Sequence, residues 1–258
     1  MKGIIRMVEH DFRNFFRYKW WLVGLISMNL ADLFVSALVY NTIMTQKVSS
    51  EIGGSYFNFF APGLAVTGLF ASAFMIGREV NMERRREVHH YMLSLPMSRL
   101  ELALGRVLSG GLRGMMYMSP LLLTCFIFVG FPTIWQLLLI LAVLFLLATG
   151  ISGLSITIAV STSSLEKFIT ARGAIYYVLF FCSTVFYPLG VIQTAGTALA
   201  TLAEINPLSG ASDLIRSILL PKFFSFSYLA IIYITAFSAI FTFAAAFAYM
   251  KIIERSGT

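Results

Sequence analysis

Residues 134–160 read IWQLLLILAVLFLLATGISGLSITIAV, an apolar run without a single charged side chain. A helix needs about 20 consecutive apolar residues to cross a bilayer core, whereas the surface helix of a soluble domain keeps one polar face. Only a helix or a closed barrel satisfies its backbone inside lipid. The run exceeds strand length and carries no polar alternation, so it reads as a spanning helix. Five more apolar runs, 20–43, 56–77, 114–131, 174–193 and 226–250, repeat the pattern. The chain is 58% hydrophobic and 12% charged, with 24 Phe; soluble domains carry about twice that charged fraction. The expected class is all-α integral membrane, one transmembrane domain over 1–258 with six spans.

The polar residues mark the ends of these runs. Residues 78–113 hold seven of the 19 Lys and Arg and four of the 12 acids. Glu79, Glu83 and Glu87 repeat every fourth residue and share one helical face, with Arg84, Arg85 and Arg86 beside them. After Pro96, Ser98 with Glu101 forms a capping box, Met97 and Leu102 can staple it, and Leu100, Leu104 and Leu108 line one side. The spacing predicts a short amphipathic helix at the membrane surface, separate from the span that follows. Residues 2–19 predict another, with Ile4, Ile5, Val8, Phe12, Phe15 and Phe16 on one face and Arg6, Arg13 and Arg17 opposite, lying in the interface plane. Seven formal charges in residues 1–19 do not suit a signal peptide, so this helix is expected to stay on the mature protein.

Small residues at four-residue spacing, Gly68 with Ser72, Ala73 with Gly77, and Thr149, Gly153 and Thr157, predict close helix packing. Gly130, Phe131 and Pro132 predict a tight hairpin between the third and fourth spans. A polar loop is expected over 161–173, and two short helices dipping into the outer leaflet over 194–225, around Asn206 and Pro207. Six spans put sixteen cations on one side (five in 2–19, seven in 78–113, Lys167, Arg172, Lys251 and Arg255) and Lys47, Arg216 and Lys222 on the other. The positive-inside rule then places both termini in the cytoplasm.

Several function classes are disfavoured. The net charge of +7 is spread between apolar runs rather than on a folded basic domain, so nucleic acid is not an expected partner. Cys125 and Cys182 lie within apolar runs, far from other ligands, and predict neither a disulfide nor a zinc site. Glu87 and His90 form one E-x-x-H with Glu83 nearby, where a helix-bundle di-iron centre needs two such motifs; a salt-bridged face is the expectation. No phosphate-cradling G-x-x-x-x-G-K-[ST] occurs, nor H-E-x-x-H or G-x-S-x-G. Asp32 is the one acid deep in a span, where ionisable groups face a cavity or a partner. It either lines a path or hydrogen-bonds a neighbouring span.

The segments from Glu83 to Glu87 (ERRRE) and from Leu93 to Leu108 (LSLPMSRLELALGRVL) resemble the ER-x-x-G-T … P-x-S-R-x-E-x-x-x-G-K pattern of the permease subunit of type-2 ABC exporters. Glu83, Arg84, Pro96, Ser98, Arg99, Glu101 and Gly105 match, Arg106 replaces Lys, and Glu87 and Val88 depart from Gly-Thr. The segment INPLSGASDLIRSILL resembles the family's NP-L-…-R outer element through Asn206, Pro207, Asp213 and Arg216. Together with the span layout, the resemblance covers nearly the whole chain.

The resemblance implies a transport role without ATP hydrolysis in this chain: no cofactor bound here, ATP and Mg in a separate ATP-binding subunit, and a second permease copy, identical or related. Residues 78–113 become the coupling region, with Glu83, Arg84, Arg86, Glu87, Leu95, Pro96, Ser98, Arg99, Glu101 and Gly105 facing the ATPase subunit. A solvated positive-inside loop is the plainer reading of the same stretch. Residues 194–225, with Pro188, Asn206, Pro207, Asp213 and Arg216, become an extracellular gate. Asp32, Phe180, Phe181, Phe186 and Tyr187 are candidates for the translocation path, and the aromatic content suggests an amphipathic or hydrophobic cargo (drug-, lipid- or glycolipid-like). The expected location is the plasma or inner membrane. The alternative is an ATP-independent transporter or a membrane-embedded enzyme that uses Asp32.

Overall fold

The computed structural model describes residues 2–17, 19–43, 52, 55–86 and 98–255. Among them every regular element is a helix: α1 (Lys2–Arg17), α2 (Lys19–Ile43), α3 (Tyr56–Ala73), α4 (Met75–Arg85), α5 (Arg99–Val129), α6 (Ile134–Ser161), α7 (Leu165–Phe181), α8 (Leu189–Ala195), α9 (Thr197–Ile205), α10 (Pro207–Leu219) and α11 (Tyr228–Arg255). Four segments are long and apolar enough to cross a bilayer: Tyr56–Arg85 (α3 with α4), Arg99–Val129, Ile134–Ser161 and Tyr228–Lys251. The expected first and fifth spans correspond to α2, whose described apolar stretch is Ile26–Ser36, and to the 17-residue α7. Neither meets the same length criterion among the described residues.

The segment of α3 and α4 is the centre of the bundle. Its most apolar window is 89% buried, against 28% for that of α11, which therefore lies at the periphery. Helices α5 and α6 pack on α3, on α4 and on one another, and α11 lies along α6. The break between α3 and α4 falls at Phe74, whose carbonyl accepts a hydrogen bond from the Ser155 hydroxyl of α6 instead of serving only its own helix. A side chain inserted into the ladder is a usual cause of such an interruption. Gly153 packs closely as expected, and Gly110 adds a close approach of its own. A Cβ on Gly153 would come within 2.5 Å of the Phe241 carbonyl of α11, and one on Gly110 within 2.2 Å of the Ser152 hydroxyl of α6.

Several boundaries differ from the sequence expectation. The capped amphipathic helix is not separate from the third span: α5 runs from Arg99 to Val129 without interruption. Ser109, Gly110 and Gly111, within this continuous helix, are buried and form a notch into which α4 and α6 fit, so packing outweighs the low helix propensity of the glycines. The expected polar loop over 161–173 is mostly helix, because the Ser164 hydroxyl accepts from the Lys167 amide and starts α7 at Leu165. That helix ends at Phe181, well before the expected 193. The outer segment 194–225 holds two short helices as expected, α9 and α10, meeting at Asn206, while α8 occupies the end of the expected fifth run. Pro188 precedes α8, and Gly196, at φ 156°, separates α8 from α9. Helix α11 extends past residue 250 to Arg255. The hairpin between α5 and α6 turns at Gly130, whose φ of 134° is one that side-chain-bearing residues rarely adopt.

Candidate functional site

Two polar clusters organise the bundle, one at each end. At the end carrying α1, Arg106 and Arg113 lie seven residues apart on α5 and so share a face, and Glu79 and Glu83 share a face of α4. Arg106 donates from Nη2 to both oxygens of Glu83 at 2.5 Å and from Nη1 to Oδ1 of Asp11 on α1 at 2.7 Å. Arg113 pairs with Glu79 at 2.5 Å and donates to the Asp11 backbone carbonyl at 2.7 Å. The Ser109 hydroxyl donates to the second Asp11 oxygen at 2.7 Å. Tyr249 of α11 stands within hydrogen-bonding reach of the Arg106 guanidinium. Neither Arg106 nor Asp11 has any exposed side-chain surface. Four helices are thereby tied to one guanidinium.

The charges nearly balance. Two guanidiniums (Arg106, Arg113) against three carboxylates (Asp11, Glu79, Glu83) leave one negative charge, and His10 stands beside Asp11 at 3.4 Å. Burial pushes the Asp11 carboxyl upward, but Arg106 and the hydrogen bonds from His10 and Ser109 outweigh it and hold the group below its ordinary value. The hydrogen bond to Asp11 in turn raises His10 above its ordinary value, against the effect of its partial burial.

This cluster redistributes the expected coupling residues. Glu83 faces inward to Arg106, and Gly105 is covered by α1, with Met7 Cβ 2.9 Å from where its own Cβ would stand. Arg84 donates to the Val160 carbonyl at 2.8 Å and the Thr162 carbonyl at 3.3 Å, closing the C-terminal end of α6. Arg86 is exposed at the end of α4. The capping box is formed: the Glu101 amide donates to the Ser98 hydroxyl and the Ser98 amide to the Glu101 carboxylate, each at 3.2 Å. Ser98, Arg99 and Leu100 are exposed beside it. Glu87, Leu95 and Pro96 lie outside the described residues, as do Met97 and the E-x-x-H pair Glu87 and His90. Glu83, a third ligand in the metal reading, is held by Arg106 instead.

At the opposite end, Asn206, Pro207, Asp213 and Arg216 come together. Asn206 caps α10 by accepting from the Leu208 amide at 2.9 Å, while its side-chain amide donates to the carbonyls of Leu179 and Cys182, both at 2.7 Å. Those carbonyls belong to the final turn of α7, which is why the helix can stop inside an apolar run. Pro207 at the first position of α10 needs no amide partner. Arg216 is fully buried and donates to the carbonyls of Phe59 (2.9 Å), Thr184 (2.9 Å) and Val185 (3.1 Å) and to Asp213 (2.6 Å), with Phe59 stacked 3.7 Å below it. The Thr184 hydroxyl donates to the other Asp213 oxygen at 2.9 Å. Pro188 sits just outside this knot as the residue preceding α8.

Of the candidate path residues, Phe180 and Phe186 meet edge to face at 4.4 Å, and Phe186 continues to Phe60 of α3 at 5.1 Å. Phe181 and Tyr187 flank Phe186 at 6.2 and 6.1 Å and are exposed on the outside. Asp32 belongs to α2, but its side chain lies outside the described residues. The sequence reading missed Asp11, Glu79, Ser109, Arg106 and Arg113 as a unit. The available signal was two arginines seven apart, Arg106 and Arg113, the only charges of α5 beyond its first turn, matched by two glutamates four apart in the preceding helix.

No curated protein matches the chain. The sequence profile of the ABC-2 type transporter matches residues 4–220, a stretch that includes α1, the arginine cluster and the Asn206–Arg216 knot. The chain is a transmembrane permease subunit and belongs to the ABC-2 type transporter family.

Proposed function

We propose that the chain is the membrane half of an ATP-driven exporter, in which a separate ATP-binding subunit holds ATP and Mg and pushes on the exposed corner around Ser98. The observation that carries this reading is the continuity of α5, which begins at the Ser98–Glu101 capping box and ends at Val129 on the far side of the bundle. A displacement at the capped end is passed along one helix, while Arg106 and Arg113 pass it sideways to α1 and α4. Differential contact of this corner with nucleotide-bound and nucleotide-free partners biases two states of the bundle. With Glu83 and Gly105 turned inward, the docking face consists of Arg85, Arg86, Ser98, Arg99 and Leu100, together with the segment around Pro96.

In this reading a second copy, identical or related, completes the pathway, α2 and α7 complete six spans per copy, and α8 to α10 close the outer mouth. Both termini lie in the cytoplasm of a plasma or inner membrane, and the cargo is amphipathic or hydrophobic (drug-, lipid- or glycolipid-like). The test is affinity capture of the tagged full chain in detergent, with identification of co-purifying proteins and an ATPase assay. Recovery of an ATP-binding protein, lost in the Arg86→Glu, Arg99→Glu double variant while membrane insertion persists, is the expected result. Recovery of the chain alone, without ATPase activity, overturns the reading.

A further inference from the structure

Among the described residues, Arg78 of α4 and Arg172 of α7 are cations without an answering acid. The two helices pack together, with Phe74 at the start of α4 meeting Phe168 at 6.0 Å, and Phe70 of α3 meets Tyr176 at 5.4 Å. Arg78, which is exposed, follows Phe74 by one turn, and Arg172 lies midway between Phe168 and Tyr176, so both positions fall along this seam. Arg172 is half-buried and within repelling range of Arg78. Among the described residues neither forms a hydrogen bond or an ion pair. The nearby carboxylates are committed elsewhere, Glu79 to Arg113 and Glu83 to Arg106, and the acid of α7, Glu166, stands in its first turn.

A half-buried cation facing a like charge is unfavourable, and an anion between the two would relieve it. The location narrows the anion. Both arginines stand at the edge of apolar runs, Arg78 directly after Gly77 and Arg172 two residues before Ala174, while α4 and α7 each continue about two turns further at their polar ends. That level in a spanning bundle is the headgroup layer, where guanidinium groups meet phosphate through paired N–H donors. Tyr176, stacked 5.1 Å from Phe180, supplies the apolar wall above it.

We propose that Arg78 and Arg172 form a binding site for a phosphate-bearing headgroup, holding an anionic amphiphile against the seam of α4 and α7. The site is independent of the exporter reading, because binding is measured on this chain alone, whether or not an ATPase subunit is recovered.

The experiment is native mass spectrometry of the purified full chain in non-ionic detergent, titrated with phosphatidylglycerol, phosphatidylcholine or inorganic phosphate. Phosphatidylglycerol is expected to bind more tightly than phosphatidylcholine. Arg78→Gln and Arg172→Gln should each weaken it ~10-fold, the Lys variants should retain most of it, and Lys222→Gln, a cation elsewhere on the surface, should change nothing. Competition by inorganic phosphate identifies the phosphate group itself as sufficient; its failure to compete assigns the site to the lipid. Equal binding of the two lipids, or unchanged phosphatidylglycerol binding in the double Gln variant, overturns the proposal. A second readout guards against misfolding: without anionic lipid or phosphate, Arg172→Gln should leave the unfolding temperature unchanged or raise it. A fall there means an acid within the chain already answers Arg172, which also overturns the proposal.

Discussion

Arg106 of α5 and Asp11 of α1 meet at 2.7 Å with neither side chain reaching solvent. The contact joins residues that flank the first two spans in the chain and fastens α1 to the helix of the third. Removing one partner of a buried pair strands the other charge, at a cost of about 3–5 kcal/mol. Arg106→Gln should therefore lower the unfolding temperature steeply. Arg85→Gln, at an exposed position two residues beyond Glu83, should stay within about 0.5 kcal/mol of the parent. Thermal unfolding of both in the same detergent checks the contrast.

The same cluster sets a pH window. Asp11 is held below its ordinary 3.8, so its stabilising contribution is present above that value and is lost as pH falls through the lowered one. His10 is raised above its ordinary 6.5, so its contribution is full below 6.5 and fades as pH rises through the raised value. Attachment of α1 should be firmest between about 4 and 6.5. His10→Gln should abolish the weakening on the alkaline side, and Asp11→Asn that on the acid side. Unfolding temperatures across this range give the test.

Asn206→Ala should be costly although it removes only a small side chain. It deletes the cap of α10 and frees two buried carbonyls at the end of α7. An N-cap is worth about 1 kcal/mol and each orphaned buried acceptor about 1–3, so a loss of at least ~2 kcal/mol is expected. Asn206→Asp keeps the cap but not the two donors and should fall between. An Asp variant as stable as the parent would show that the carbonyl contacts contribute nothing, and equal stability of the Ala and Asp variants would show the same of the cap.

Helix spacing is tested at Gly153, where a methyl would meet backbone of α11 at 2.5 Å. Gly153→Ala should cost about 1–3 kcal/mol by forcing α6 and α11 apart. Gly24→Ala, with nothing within 4 Å, should be neutral or slightly stabilising through helix propensity. Paired unfolding measurements separate the two.

Much of this architecture is legible in the chain because lipid leaves few alternatives for a run such as 134–160, and because capping and small-residue spacing act locally. Ser98 with Glu101 and Gly153 each behave as their spacing predicts. The failures share one cause. The capped helix runs on through Ser109-Gly110-Gly111 into the third span, and the fifth apolar run stops at Phe181, because residues distant in sequence decide both. In the first case the partners are Ile76, Thr149 and Ser152; in the second they are Asn206 and Arg216. The inward turn of Glu83 belongs with them, since nothing in ERRRE says that its partner lies 23 residues on.

The notch at Gly110 gives α5 a fulcrum. Residues 98 and 120 lie about 18 Å and 15 Å from it along the axis, at 1.5 Å per residue. Tilting that stretch by about 5° swings its two ends in opposite directions by roughly 1.5 Å each. Were α5 to tilt about the glycines that let three helices touch, an inward press at Ser98 would become an outward swing beside Pro120.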